Sequence, residues 1–529
     1  MSFEDTRVKI SAPLQGVVPA AGERRRRREV LVCASGVSFM IMLDANIVAV
    51  SLPTIASSLH SAFAGVEWVI SAYILAFVAC LMPAGALADR FGRKRMLFAG
   101  LALFGCASLL CGLATSILLL NTGRALQGVG AALQLSAALA VLGFEFQGKE
   151  RVRAFAVWGV FIGAAATGGP VVGGLITSAF GWPWAFLINV PVSLLLSLLA
   201  WRSVHESRDP GHARIDLPGA VLLALAISAL ADGMIQGGNL GFGNIRVAMV
   251  LSAALALLLA FVWAESRHPR PMVDLSLFRD PAFIGASVAM FAYAACAYVM
   301  ATYLPLYIQA AFFPSPAMAG LALLPFGVPL LAGPYLGAAL VARMGDRGAL
   351  VCGLMVVALG DALTAWAATG HDYAPVALGM GVLGIGAGVL NGETARVSMQ
   401  IVPAGRAGMA SGLTSTFRFV GLLAGLTGLG AILVAGITSY LTPLSAGLPQ
   451  LAAIGVREVA HHAAAGGLST WLGPQVPAAT LTAWRHAAQA GFNSAFVDLM
   501  SAAAGFAGGA ALLTFLLMRR RAIGRIGHQ

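Results

Sequence analysis

Apolar runs of bilayer-spanning length, broken by short charged turns, set the pattern of this chain. The first run covers about 30–52, and others follow near 68–88, 96–116, 118–142, 155–177 and 184–201. A charged link from Arg202 to Asp216 comes next, then runs near 217–236 and 246–264, and a second link from Arg267 to Asp280. Further runs lie near 282–309, 317–341, 349–369, 374–400, 407–436 and 493–517. A helix needs roughly 20 apolar residues to cross a bilayer, so the pattern predicts an all-α polytopic membrane protein with about fourteen transmembrane helices, grouped six, two and six. The expected parts are a polar tail (1–29), an N-terminal bundle (30–201), a linker with two extra helices (202–281), a C-terminal bundle (282–517) and a tail (518–529). The stretch 437–490 is weakly hydrophobic and interrupted by Pro and Gly. It reads as a long outer loop, with a short interfacial helix near Leu451–Ala465.

Charge sets the side each loop faces. The groups Arg90/Arg93/Lys94/Arg95, Lys149/Arg151/Arg153, Arg202/Arg208/Arg214, Arg267/Arg270/Arg279, Arg343/Arg347 and Arg406 all fall on the side of both tails. Arg246, Arg457 and Arg485 fall on the other. Basic short loops stay in the cytoplasm, which predicts a cell-membrane protein with both termini inside. The net charge of +11 is thus a topology signal and not a nucleic-acid footprint. Only 10% of residues are charged and 59% are hydrophobic, against about 25% charged in soluble domains. Arg24–Arg28 followed by an apolar run looks like a signal peptide, but the run is long, contains Asp44 and lacks a small-residue cleavage site. An uncleaved first span is expected. The six cysteines lie in apolar runs without metal-ligand spacing, and no P-loop or nucleophile constellation is present. The expectation is a non-enzyme without metal or cofactor.

Between the second and third runs stands Gly85-Ala-Leu-Ala-Asp-Arg-Phe-Gly-Arg-Lys94. It resembles motif A of the major facilitator superfamily of secondary transporters, and the resemblance implies a conformational latch at Gly85, Asp89, Arg90, Gly92 and Arg93. Gly85 is expected to let two helices approach closely, and Gly92 to supply the turn. A solvated loop that only sets topology is the alternative. Leu340-Val-Ala-Arg-Met-Gly-Asp-Arg347 aligns with Leu87–Lys94 as a faint repeat, with Ala342 in place of Asp89.

The run Leu43-Asp-Ala-Asn-Ile-Val-Ala-Val-Ser-Leu-Pro53 is similar to the first span of the fourteen-span drug/proton antiporters of that superfamily, with Asn46 and Ser51 as departures. Asp44 is an acid in mid-membrane, costly unless it faces water or a partner. Proton coupling is the sharp reading, and a fixed polar contact the bland one. Arg124-Ala-Leu-Gln-Gly-Val-Gly130 resembles motif B, which implies a part in proton transfer; a structural ion pair stays open. Gly168-Gly-Pro-Val-Val-Gly-Gly174 resembles the antiporter motif C, with Ala165 where a glycine is usual. It implicates Gly169, Pro170, Gly173 and Gly174 in gating, against simple packing. Trp182-Pro-Trp-Ala-Phe-Leu-Ile-Asn-Val-Pro191 resembles the same family, with Pro183 in place of Arg.

In the second half, Glu393 and Arg396 share a helix face, as a local ion pair or a second protonation site. Asp361 is the next mid-span acid, and Arg418 resembles a family position. Phe39, Met42, Tyr73, Trp158, Tyr293 and Tyr303 are candidates for an adaptable apolar pocket. The sequence therefore points to proton-coupled efflux of small amphipathic compounds, with substrate, protons and the bilayer as partners. A carrier of a metabolite such as a siderophore or amino acid, and a non-transporting receptor or scaffold, are the rivals; no outer-face partner is identified.

Overall fold

The computed structural model describes residues 21–61, 63–146, 148–207, 217–241, 243–268, 273, 275–312, 315–370, 372–401, 407–445, 455–465 and 478–518. Among these, the regular structure is helical. The first helices are α1 (Ala21–Ser58), α2 (Phe63–Phe91), α3 (Arg93–Gly112), α4 (Ile117–Glu145), α5 (Gly148–Phe180), α6 (Trp184–Leu187) and α7 (Asn189–Ser203). Two more follow, α8 (Leu217–Leu240) and α9 (Ile245–Arg267). The remainder are α10 (Pro281–Tyr293), a π turn (Ala294–Tyr298), α11 (Met300–Ala311), α12 (Pro316–Leu321), α13 (Leu324–Ala368), α14 (Tyr373–Ile401), α15 (Ala407–Ser445), α16 (Val456–Ala464) and α17 (Ala478–Leu517).

Local chemistry starts and stops these helices. Ser116 accepts from the Leu119 amide at 3.3 Å to open α4. Asn244 opens α9 in the same way. Asp280 caps α10 and is followed by Pro281, whose missing N–H costs nothing at a first turn. Gly92 at φ +112° separates α2 from α3, and Gly345 at φ +73° breaks α13 in its middle. These glycines occupy matching places in the two copies of the repeat, so the repeat exists in the backbone as well as in the letters.

Helices α1 to α7 pack among themselves, chiefly α1 on α4, α5 and α7, α2 on α4, and α3 on α4 and α7. Later, α13 packs on α14 and α17, and α10 on α14, α15 and α17. Helix α8 lies against α9, α2 and α15, and so touches both sets. Leu194, Leu195, Leu255, Leu259, Leu512 and Leu516 are exposed on the outside. Such a surface belongs in lipid, and the chain is a multi-pass membrane protein. Twelve helical segments among the described residues are long and apolar enough to span. Two shorter apolar segments, Gly65–Leu81 in α2 and Val221–Gly237 in α8, coincide with the predicted second and seventh crossings.

The region read as a loop over 437–490 is more helical than its hydropathy suggested. Helix α15 continues to Ser445, where Thr438 and Thr442 return their hydroxyls to carbonyls one turn back. Helix α17 begins at Ala478, in an alanine-rich stretch with strong helix propensity, and buries Trp484. The expected interfacial helix is α16, which packs on α15, α17 and α2.

Candidate functional site

Asp44 sits inside the first set of helices, wholly buried, and is hydrogen-bonded by polar groups from two other helices, α4 and α7. Arg124 on α4 donates through Nη1 to Asp44 Oδ2 at 2.6 Å. Asn189 on α7 donates to Oδ1 at 2.6 Å, and Gln127 reaches the same oxygen at 3.4 Å. The Arg124 guanidinium is itself placed by the Val69 carbonyl (2.8 Å), the Gln127 amide oxygen (2.8 Å) and the Tyr73 ring, whose centroid lies 4.1 Å away. Gln127 donates on to Ser108 at 2.7 Å. Both charges are therefore paired and hydrogen-bonded, as burial demands. Asn189 and Gln127 were quoted in the sequence motifs but not singled out. Their signal was a polar residue in an apolar span, with Gln127 one turn from Arg124.

This cluster depends on close helix approach. A Cβ at Gly128 would lie 2.3 Å from the Tyr73 carbonyl oxygen, so α4 and α2 meet there. A Cβ at Gly85 meets nothing within 4 Å among the described residues, and the close α2/α4 contact at Gly128 falls at Tyr73, more than three turns away along α2. At the turn itself, Gly92 is buried and Glu206 covers the start of α3, accepting from the Lys94 amide at 3.1 Å with Arg95 at 3.7 Å. Arg90 lies over the Phe91 ring and Arg93 over Phe144. The Asp89 side chain is outside the described residues.

The glycines of the third motif divide between two neighbours. Cβ atoms at Gly169 and Gly173 would strike Asn46 Cβ (2.5 Å) and Ile47 Cα (2.7 Å) on α1. One at Gly174 would strike the Pro316 carbonyl at 2.2 Å, and one at Gly320 the Pro170 carbonyl at 2.4 Å. Thus α5 is pressed on α1 by one face and on α12 by the other. Nearby, Thr167 donates to the Gly327 carbonyl (2.8 Å), Ser178 accepts from the Ala317 amide (3.1 Å), and Gln309 donates to the Val50 carbonyl (3.0 Å). These contacts between the early and late helices lie in the half of the molecule away from the basic loops.

Among the late helices, Asp361 is fully buried and neither carboxyl oxygen has a hydrogen-bond partner. Glu393 pairs with Arg396 at 2.5 Å, and Arg396 also reaches Asp346 at 2.6 Å, just past the Gly345 break. Of the six pocket candidates, Phe39, Met42 and Trp158 are partly exposed, whereas Tyr73, Tyr293 and Tyr303 are buried. Phe39 meets Phe161 edge-on at 6.3 Å, and Trp158 donates to Ser38 at 2.8 Å. Tyr303 donates to the Leu426 carbonyl and Tyr73 is spent on Arg124, so both act within their own helix sets.

A family model described as Major Facilitator Superfamily matches residues 34–426. The chain belongs to this superfamily. Among its relatives, Multidrug resistance protein Stp of Mycobacterium tuberculosis is 35% identical over 407 residues, covering 77% of this chain and 75% of that protein. The Tetracenomycin C resistance and export protein of Streptomyces glaucescens is 31% identical over 509 residues, 94% of this chain and 91% of that one. The fold matches a bacterial homolog of the human lysosomal transporter Spinster, solved inward-facing and occupied, with a TM-score of 0.64 at 17% identity over 93% of this chain and 96% of that one. A major facilitator with this architecture is a transporter, and the paired charges, glycine contacts and aromatic side chains above are to be read in that light.

Proposed function

We propose that this major facilitator is an efflux transporter of small amphipathic compounds that exchanges cargo for protons, with fourteen crossings arranged as two six-helix bundles around α8 and α9. The single observation that carries the proton part is the Asp44–Arg124 pair, sealed among four helices and linked through Asn189 and Gln127. Such a pair is bistable. Protonating Asp44 removes its charge and releases Arg124, while deprotonation restores the lock. Helices α1, α4 and α7 all contribute to it, so their relative positions are tied to one proton.

The efflux part draws on the printed names of the relatives, which are a multidrug resistance protein and a resistance and export protein. Contacts across the α5/α12 and α1/α11 seams, far from the basic loops, support a form closed on the side away from those loops. With both tails in the cytoplasm, cargo would enter there and meet Phe39, Met42 and Trp158. Asp361 is a second candidate for protonation, and Asp89, Arg90 and Arg93 remain the latch at the cytoplasmic turn. Glu393 with Arg396 and Asp346 is a brace of the second bundle.

Transport of a compound panel into inverted vesicles, with and without an imposed pH step, tests this reading. Uptake of several amphipathic compounds that stops with a protonophore is expected. Uptake indifferent to the protonophore, or confined to one siderophore or amino acid, contradicts it.

A further inference from the structure

The cations of the membrane interior are not all matched by acids. Arg124 has Asp44, and nearer the basic face Arg26 and Arg27 have Glu23, Glu145 and Glu150. Arg418 is different. It lies about 17 Å along α15 from Ala407 at 1.5 Å per residue, well inside the bilayer. Among the described residues no carboxylate pairs with it; Nη2 donates to the Asn391 carbonyl at 3.2 Å and Nε is buried without a partner. Its guanidinium stands 5.9 Å from the Tyr293 ring, Tyr293 donates to Asn391 Oδ1 at 3.2 Å, and Tyr298 stacks beside Tyr293 at 6.3 Å. Tyr298 in turn points its hydroxyl at Met42 Sδ of α1, 2.9 Å away, so this corner opens on the seam between the two helix sets. Arg418 and Asn391 are both partly exposed there.

We infer that Arg418 is the anchor for an anionic group of the cargo, a carboxylate or an equivalent acid, whose apolar body lies against Tyr298, Met42 and Phe39. An unpaired guanidinium at this depth is costly and invites a planar anion that accepts two parallel hydrogen bonds. Since Nε is buried, the fork is the end-on edge of the guanidinium, Nη1 with the second hydrogen of Nη2. The aromatic rings and the methionine suit a variable hydrophobic remainder. Calling the ligand a cargo rests on the efflux reading; the acid-binding site itself does not.

The test is equilibrium binding to the purified full chain in detergent, followed by fluorescence anisotropy with 1-pyrenebutyrate, its methyl ester and 1-pyrenemethylammonium. The acid is expected to bind about tenfold or more tighter than the ester or the ammonium, as a desolvated charge-assisted pair requires. Arg418→Gln should erase that preference with ester affinity unchanged, and Arg418→Lys should keep part of it. Equal affinity for acid and ester on the wild-type chain overturns the inference, as does an acid preference that survives Arg418→Gln. The wild-type comparison decides on its own if a variant does not fold. Selective acid binding by a chain that moves nothing in vesicles would contradict the efflux reading and leave this site standing.

Discussion

Arg124 holds Asp44 at 2.6 Å with 1% and 0% of the two side chains exposed, and the pair joins α4 to α1 in the middle of the first helix set. Removing one member leaves the other as a buried, uncompensated charge. Arg124→Ala is expected to cost about 3–5 kcal/mol of stability in detergent. The double variant Asp44→Ala/Arg124→Ala should be less destabilised than the sum of the single changes by about 1–3 kcal/mol. Chemical unfolding of the four proteins measures this cycle, and additive losses would mean that the two groups do not act together.

The seam between α5 and α12 has no room for a side chain at Gly174. Gly174→Val should push Pro316 away and loosen this seam. In a background with the native cysteines replaced, labelling by an impermeant maleimide of Ala319→Cys, at a position buried in α12 beside α5, should rise severalfold, and transport should fall about tenfold or more. A valine variant with unchanged labelling would separate this glycine from gating.

Glu393 is buried, and its carboxylate meets Arg396, which also reaches Asp346; Arg396 and Asp346 are partly exposed. Losing a charge-assisted hydrogen bond from a buried group costs about 1.5–3 kcal/mol. Glu393→Gln should therefore unfold earlier by about that much and move cargo with an unchanged proton-to-cargo ratio. A changed ratio would make Glu393 part of the coupling.

Between α15 and α17, burial pushes both His461 and His462 of α16 down to about 4, with Arg457 adding to the effect at His461. Folded-state values below the unfolded value of about 6.5 mean that the unfolded segment binds more protons as pH falls. The docking of α16 is thus complete above about 6.5 and weakens between about 6.5 and 4. Hydrogen exchange over 456–464 should show protection falling across that window. The double variant His461→Gln/His462→Gln should remove the pH dependence.

Much of this was legible in the sequence, because apolar run length and loop charge are direct consequences of the bilayer. The helices, the turn at Gly92 and the repeat at Gly345 follow from those patterns. Asp44 and Arg124 were visible as charges in apolar spans, but that they meet depends on the rotation of α1 against α4, which no single-helix periodicity specifies. The same limit hid the role of Gly128, a close approach between two helices. The loop over 437–490 was drawn too long because hydropathy measures lipid affinity and not helix propensity, whereas α15 continues to Ser445 and α17 begins in an alanine-rich stretch at Ala478. Arg418 was legible as a resemblance to a family position, but that no carboxylate pairs with it among the described residues depends on how the late helices pack.

The central claim is that one proton on Asp44 is exchanged for cargo. Its most direct test is the pH inside proteoliposomes, reported by trapped pyranine, when a cargo gradient is applied with no proton gradient present. The wild-type chain should drive a cargo-dependent proton flux in the opposite direction, and Asp44→Asn should bind the same cargo and drive none. A flux in Asp44→Asn equal to that of the wild type would contradict the account.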